Sequence, residues 1–277
     1  MKLSIITLTF NNLKYTKTYI DSLYKNTSDF ELIIVDNGST DGTIEYIKSL
    51  KQDNIKLIIN KENLGYSKGN NQGLNFAEGE YIGFLNNDII LTEGWFNKCE
   101  EVFKNDKSAA FASPKQLNSI LYNIDKNNFL NFFNKIKKNK YYKSFDECAF
   151  ACVITKREVL NKIGNFDEIY TPAFFEDDDL KYRAVMNGYG VYVCNNTCFY
   201  HSVSATSYKH KNNFYKNREY YYSKYPFAEY LAVCRDEKNN AIISLRLTSI
   251  SLISILNKIN NFKNKAWNRI RKGIIKH

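Results

Sequence analysis

Along the first ninety residues, short apolar β-rich runs alternate with stretches of helical spacing, and polar breaks divide them. Leu3 to Thr9 (LSIITLT) is the first run and stops before Asn11-Asn12. From Tyr15 to Tyr24, the residues Tyr19, Ile20, Leu23 and Tyr24 fall on one side of a helix. Phe30 to Val35 (FELIIV) reads as the next strand and ends at Asp36-Asn37-Gly38. A helix is expected over Ser39 to Lys51, with Ser39 or Thr40 as N-cap and Glu45 in its early turns. Ile55 to Ile59 is a third strand, Gly69 to Glu78 a third helix, and Tyr81 to Leu85 a fourth strand.

This alternation predicts an α/β protein whose central sheet is mostly parallel, with helices on its faces. Such sheets bind ligands at the carboxyl ends of their strands. The polar breaks fall at those ends: Thr9 to Asn11, Asp36 to Gly38, Asn60 to Gly65, and Asn86-Asn87-Asp88. The last break raises a question of its own. Tyr81 to Leu91 is apolar enough for a buried strand, yet FLNND interrupts it with two amides and a carboxylate. An uncompensated buried Asp88 would cost several kcal/mol, so a cation, a donor or water is expected beside it.

Composition narrows the class. With 277 residues, 44% hydrophobic and 15% aromatic, the chain is long enough for one sizeable core or a domain plus an appendage. Met1 to Phe10 does not have the form of a signal peptide, and Ala241 to Leu256 carries Arg246 and falls short of the roughly 20 residues of a membrane span, so a cytoplasmic protein is expected. Six cysteines are then expected as reduced thiols. Cys148/Cys152 and Cys194/Cys198 form two C-x3-C pairs in strand-like stretches. Four residues along a strand separate side chains by about 13 Å, too far for one zinc. No G-x-G-x-x-G follows the first strand and no phosphate-binding P-loop is present.

The net charge of +10 is concentrated in two places. Lys126 to Lys143 carries six lysines and no acid, and Asn257 to Lys276 carries seven basic residues and no acid. The first interleaves Lys with Phe and Tyr, as a lid, an acceptor platform or a surface helical hairpin would. The second places Ile259, Phe262, Ala266, Ile270 and Ile274 at helical spacing, fit for an anionic membrane surface, for its own domain or for another subunit. Anionic partners in general suit such patches: nucleic acid, phospholipid or an acidic glycan.

Phe174 to Leu180 (FFEDDDL) sets four consecutive acids beside apolar residues at the start of a helical stretch. Close carboxylates raise one another's pKa, which suits general-base chemistry, and acids near a helix N-terminus gain from its dipole. Asp179 is explained as a first-turn acid alone. His201 ends the strand-like run Gly190 to Tyr200 and is a candidate metal ligand.

VDNGSTDGT at 35–43, NLGYSKGNNQGL at 63–74, FLNND at 84–88, and EDDDL with a following GYGV at 176–191 together resemble glycosyltransferase family 2. CVITKREVLNKIGNFDE (152–168) and FYKNREYYYSKY (214–225) resemble the segments before and after that family's acidic motif. The resemblance implies a GT-A domain over 1–225, with a nucleotide-binding half at 1–90 and an acceptor half at 91–225 that contains the 126–143 insertion, followed by a basic helical appendage at 226–277. It implies inverting transfer of a sugar from a UDP or dTDP donor to a hydroxyl of a glycan, lipid-linked or protein acceptor, assisted by Mn²⁺ or Mg²⁺.

Position by position, the resemblance gives Thr9 and Asp36 contacts to the nucleoside, Asp36 accepting from the pyrimidine N3–H. Asn63, Lys68 and Gly69 would lie near the base and diphosphate. Asn86-Asn87-Asp88 occupies the family's D-x-D position with only its last acid, which leaves Asp88 as metal ligand and Asn86 with a ribose or water-mediated contact. His201 matches a second metal ligand, Asp177 the catalytic base, and Glu176 a holder of acceptor hydroxyls. Two rivals remain. A nucleic-acid-binding protein would leave the acidic run unexplained, and an inactive GT-A scaffold would follow from the reduced D-x-D.

Overall fold

The computed structural model describes residues 2–118, 124–136, 141–202 and 211–225. Its first half follows the expected alternation: β1 (Leu3–Thr9), α1 (Leu13–Asn26), β2 (Phe30–Asp36), α2 (Thr43–Ser49), β3 (Ile55–Ile59), α3 (Gly65–Leu74) and β4 (Tyr81–Leu85). Then come β5 (Ile89–Leu91), α4 (Trp95–Asn105), β6 (Ala109–Leu117), α5 (Phe129–Ile136), β7 (Tyr141–Lys143), β8 (Cys152–Lys156), α6 (Arg157–Ile163), α7 (Glu176–Met186), β9 (Gly190–His201) and α8 (Lys211–Lys224).

Among the described residues one nine-stranded sheet runs β3-β2-β1-β4-β8-β6-β9-β5, with β7 also paired to β9. The first four strands of this order are mutually parallel. β4 and β6 are each antiparallel to β8, hence parallel to one another, and β9 runs with β6. Six strands therefore deliver their carboxyl ends to one edge, and the chain enters β8 at that same edge.

Both faces of this sheet are covered, and the pleat divides its residues between them. Leu3, Ile5, Leu32, Ile34, Tyr81 and Leu85 pack with Tyr19, Leu23, Trp95 and Phe103 from α1 and α4. Ile6, Ile33, Val35, Ile82 and Phe84 pack on the other side with Phe166, Leu180 and Ala184. Glycine lets α3 approach β1: a Cβ at Gly69 would lie 2.8 Å from Leu8 Cδ2.

Several local expectations are corrected. The second helix spans Thr43–Ser49 rather than 39–51: the Ser39 hydroxyl donates to Asp36 and the Thr40 N–H to Asn11 Oδ1, and neither side chain caps the helix. Asp41 instead accepts from Thr43 N (3.2 Å) ahead of it. α3 starts four residues earlier than expected and ends at Leu74. Asn63 turns the chain there by accepting from Gly65 N at 2.9 Å, the short side-chain turn typical of asparagine. The fourth strand ends at Leu85 as expected, and the apolar residues beyond the amides form a further strand, β5, which pairs with β9.

Cys148 lies in the irregular connection before β8 and not in a strand, while Cys152, Cys194 and Cys198 lie on β8 and β9. All four thiols are buried. In the basic insertion, α5 buries Phe129 and Phe133 against Leu117, Ile124 and Tyr200, so its aromatics pack as a surface helix would. No helix among the described residues is long and apolar enough to cross a membrane. The appendage at 226–277, with its expected membrane contact, lies outside the described residues.

Candidate functional site

At this edge of the sheet, beside the ends of β4, β6 and β9, a cleft of about 600 Å³ opens. Asn86 lines it from the end of β4, Gln116 and Asn118 from the end of β6, Ala149 to Ala151 from the approach to β8, and His201 from the end of β9. Glu176, Asp177 and Asp178 line the opposite wall from the first turn of α7. Rings of Tyr66, Phe150, Phe174, Phe175 and Phe214 complete it.

The acidic wall is aimed by a tense turn. Phe174 (φ 84°) and Phe175 (φ 71°) both adopt left-handed backbone, a region that bulky side chains avoid and that costs about 1 kcal/mol or more each. Buried Asn217 of α8 holds the turn by donating to the carbonyls of Ala173 (2.9 Å) and Phe174 (3.2 Å). Below it, Asp179 is 0% exposed and anchors the helix. It accepts from Arg183 Nε (2.8 Å), Lys224 Nζ (2.6 Å), Tyr225 Oη (2.9 Å) and Tyr170 Oη (3.3 Å).

Glu176 has the opposite environment. It is 7% exposed, and its Oε2 has no hydrogen-bond partner among the described residues. Burial, then the adjacent Asp177, pushes its carboxyl well above the usual glutamate range. Burial also raises Asp177, but Lys181 opposes that shift from 3.5 Å away. Burial thus pushes both neighbouring acids up, and of the two only Asp177 has a lysine in ion-pair reach among the described residues.

Across the cleft, His201 Nε2 lies 3.1 Å from Asp88 Oδ1. His201 Nδ1 is buried without a hydrogen-bond partner among the described residues. The partner expected for Asp88 therefore includes an imidazole brought from 113 positions later in the chain. One carboxylate and one imidazole nitrogen meeting at a cleft fit a divalent cation that completes its shell with substrate phosphate oxygens and water, the usual manner for Mg²⁺. Among the described residues no three His, Cys, Asp or Glu side chains form a metal cage by themselves.

The remaining sequence candidates lie along the same edge but outside the cleft lining. Thr9 Oγ1 donates to Asp36 Oδ2 at 2.7 Å, and both side chains are buried. Asp36 also accepts from Ser39 Oγ (2.6 Å), Ser39 N (2.7 Å) and Gly38 N (3.1 Å). Phe10 stands exposed beside them, an aromatic face that the sequence reading missed. Asn63 and Lys68 are exposed near the start of α3, and Gly69 is buried against Leu8. Tyr66 joins this segment to the cleft, and its N–H donates to Pro172 O at 2.7 Å. At Gly65 (φ 81°) a Cβ would lie 2.9 Å from that same carbonyl. Lys181 was also missed, although its i+3 and i+4 spacing from Asp178 and Asp177 is written in the sequence.

Comparison with known proteins gives the family to which this fold belongs. Residues 4–164 match the profile described as glycosyl transferase family 2, which is more than half of the chain. The protein belongs to glycosyl transferase family 2. It is 35% identical over 109 residues to the chondroitin synthase of Pasteurella multocida (strain Pm70), a match that covers 39% of this chain and 11% of that protein. An uncharacterized glycosyltransferase of Methanocaldococcus jannaschii, MJ1057, is 29% identical over 199 residues, 67% of this chain and 65% of that one. Among solved structures, S. aureus TarS 1–349 in complex with UDP-GlcNAc superposes with a TM-score of 0.59 at 20% identity. That superposition covers 74% of this chain and 59% of that one, and the shared architecture is the GT-A fold.

Proposed function

We propose that this protein transfers a sugar, with inversion, from a pyrimidine nucleoside diphosphate to an acceptor hydroxyl, with Asp177 as general base. The observation that carries the reading is the cleft itself, which Glu176, Asp177 and His201 line together, with Asp88 Oδ1 lying 3.1 Å from His201 Nε2. The TarS structure with UDP-GlcNAc supports a nucleotide-sugar donor of this kind.

In this reading the nucleoside lies over the ends of β1 and β2. The pyrimidine N3–H takes the Asp36 Oδ2 acceptor that Ser39 Oγ now uses, a hydroxyl free to rotate away. UDP and dTDP present that same donor. Thr9 orients the carboxylate, while Asn63 and Gly69 shape the loop beside the diphosphate and Lys68 brings positive charge to it. Asn86 reaches the ribose or its water. Asp88 and His201 would hold Mn²⁺ or Mg²⁺ with the diphosphate, and the bound cation would stabilise the charge of the leaving group as a Lewis acid.

Glu176, kept neutral by burial, donates to or accepts from acceptor hydroxyls. As the acceptor oxygen bonds to the anomeric carbon, its proton passes to Asp177, and the anomeric carbon–oxygen bond to the diphosphate breaks on the opposite face. One displacement inverts the centre and requires no carboxylate nucleophile. The acceptor is a hydroxyl of a glycan, a lipid-linked sugar or a protein.

Calorimetric titration of UDP, dTDP and GDP, with Mn²⁺ and then with chelator, tests the donor site. Binding of a pyrimidine diphosphate that weakens on chelation is expected. A folded protein that binds none of the three overturns the reading in favour of a scaffold.

A further inference from the structure

Among the described residues, Lys181 alone of the lysines is buried, at 3% exposure. It sits one turn into α7, behind the acids that line the cleft. Its Nζ is 2.9 Å from Asp178 Oδ1 and 3.5 Å from Asp177 Oδ2. It also lies over two rings of the segment leading to β8, 4.9 Å from the centroid of Phe145 and 5.8 Å from that of Phe150. An ammonium fixed between two ring faces and a carboxylate has little freedom to move. No lysine or arginine lines the cleft among the described residues.

We propose that Lys181 is a positioning residue for Asp177: pinned by the rings and by Asp178, it holds the Asp177 carboxylate aimed into the cleft and offsets the negative charge gathered there. The proposal rests on reading Asp177 as the base. Three adjacent carboxyls at one helix start repel each other when charged, and the helix dipole offsets only part of that. Lys181 neutralises Asp178 by direct contact and attracts Asp177 from the side away from the acceptor. Burial and Asp178 push Asp177 up, and Lys181 is the side chain that pulls it down.

Among the described residues, the other titratable groups around Asp177 supply no competing positive charge from the packed elements. Tyr66 of α3 and Tyr221 of α8 are phenols raised by burial, and the Cys148 thiol is pushed up to about 12. Glu176 and Asp178 are acids of the same helix, and His201 lies across the cleft.

The test is a carboxyl-carbon NMR titration of the full chain, with the Asp177 resonance assigned by Asp177→Asn. In Lys181→Met the Asp177 midpoint should rise by about one pH unit or more, the usual range for loss of an opposite charge at this distance. In Lys181→Met/Asp178→Asn it should move back toward the wild-type value, since the local charge balance is restored. Asp178→Asn alone, at a more exposed site that tolerates change, should lower the midpoint because Lys181 then serves Asp177 alone. Midpoints within a few tenths of wild type in Lys181→Met, or in Asp178→Asn should the first variant not fold, overturn the proposal.

The acidic limb of kcat/KM should move with the carboxyl titration. A uniform loss of rate with an unmoved limb reduces Lys181 to a packing residue and also overturns it. Should the wild-type protein transfer sugar from no nucleotide donor, the proposed function fails, and the carboxyl titration still decides the role of Lys181.

Discussion

Asp36 and Glu176 are both buried carboxyls at the functional edge of the sheet, and their surroundings are opposite. Asp36 is 0% exposed and takes four hydrogen bonds, two from backbone N–H groups and two from hydroxyls. Glu176 is nearly as buried, yet one of its oxygens has no partner among the described residues. Four donors make the first carboxylate the organiser of the 36–41 loop, at little cost because its lone pairs are met. The second keeps unmet hydrogen-bonding capacity in a low-dielectric wall, which weakens the fold locally and leaves a polar group ready for a ligand. The contrast repeats within one helix. Asp179 is held by four donors from three segments, whereas Asp177, two positions earlier, opens on the cleft.

The largest expected effect breaks this contrast at Asp177. Asp177→Asn keeps the shape and removes the base, so transfer should fall by about 10²- to 10⁴-fold, the range for general-base catalysis. Nucleotide binding measured by calorimetry should stay within about twofold of wild type, because Thr9 and Asp36 lie outside the cleft lining. An equal loss of binding and turnover would take Asp177 out of the base role.

Asp179→Ala comes next and acts on the fold. It leaves the Arg183 and Lys224 charges without the carboxylate that both contact. Breaking a buried ion network by removing one partner costs about 3 to 5 kcal/mol, and the lower figure suits Lys224, which keeps Asp167 at 2.7 Å. The urea midpoint should fall accordingly with an unchanged slope. A loss below about 1 kcal/mol would show that the donors, and not Asp179, hold α7 against α8.

How much of this contrast could be read from the chain depends on how far its partners lie in sequence. The strands were legible because their apolar runs are local, and Leu3–Thr9, Ile55–Ile59 and Tyr81–Leu85 match the expected limits residue for residue. The helix starts were less so: side-chain bonds at Ser39 and Asn63, which reach into loops, decide where α2 and α3 begin. The acids of α7 carry one local signal, a charged first turn, but fall into different environments. Asp179 reads in the sequence as a first-turn acid needing no partner, whereas the structure buries it against donors that include Lys224 and Tyr225, 45 and 46 positions away. Lys181 was illegible for a related reason. A helical lysine beside acids reads as solvated unless the rings of Phe145 and Phe150 are known to cover it.

The smallest expected effect sharpens the comparison at its other end. Glu176→Gln replaces a carboxyl by a neutral group of the same shape. Burial raises the folded-state pKa of Glu176 well above its ordinary value of 4.5. Between 4.5 and that raised value the folded chain holds a proton that the unfolded chain has released. Stability therefore falls as pH rises through this window, because the unfolded state binds fewer protons than the native one. Glutamine has no proton to lose and escapes the fall. At pH 4, where glutamate is mostly protonated in both states, the two proteins should unfold at nearly the same urea concentration. At pH 8 the glutamine variant should be more stable by about 1 to 2 kcal/mol, the penalty for a buried group that lacks its partner. A variant equally or less stable at pH 8, or one shifted by the same amount at both pH values, would mean that Glu176 is solvated in the folded protein. Asp36→Asn should instead lose stability, since Gly38 N, Ser39 N and the two hydroxyls all donate to its carboxylate and an amide nitrogen cannot accept from them. The pH dependence of one substitution thus separates a carboxyl that the fold uses from one that it holds in reserve.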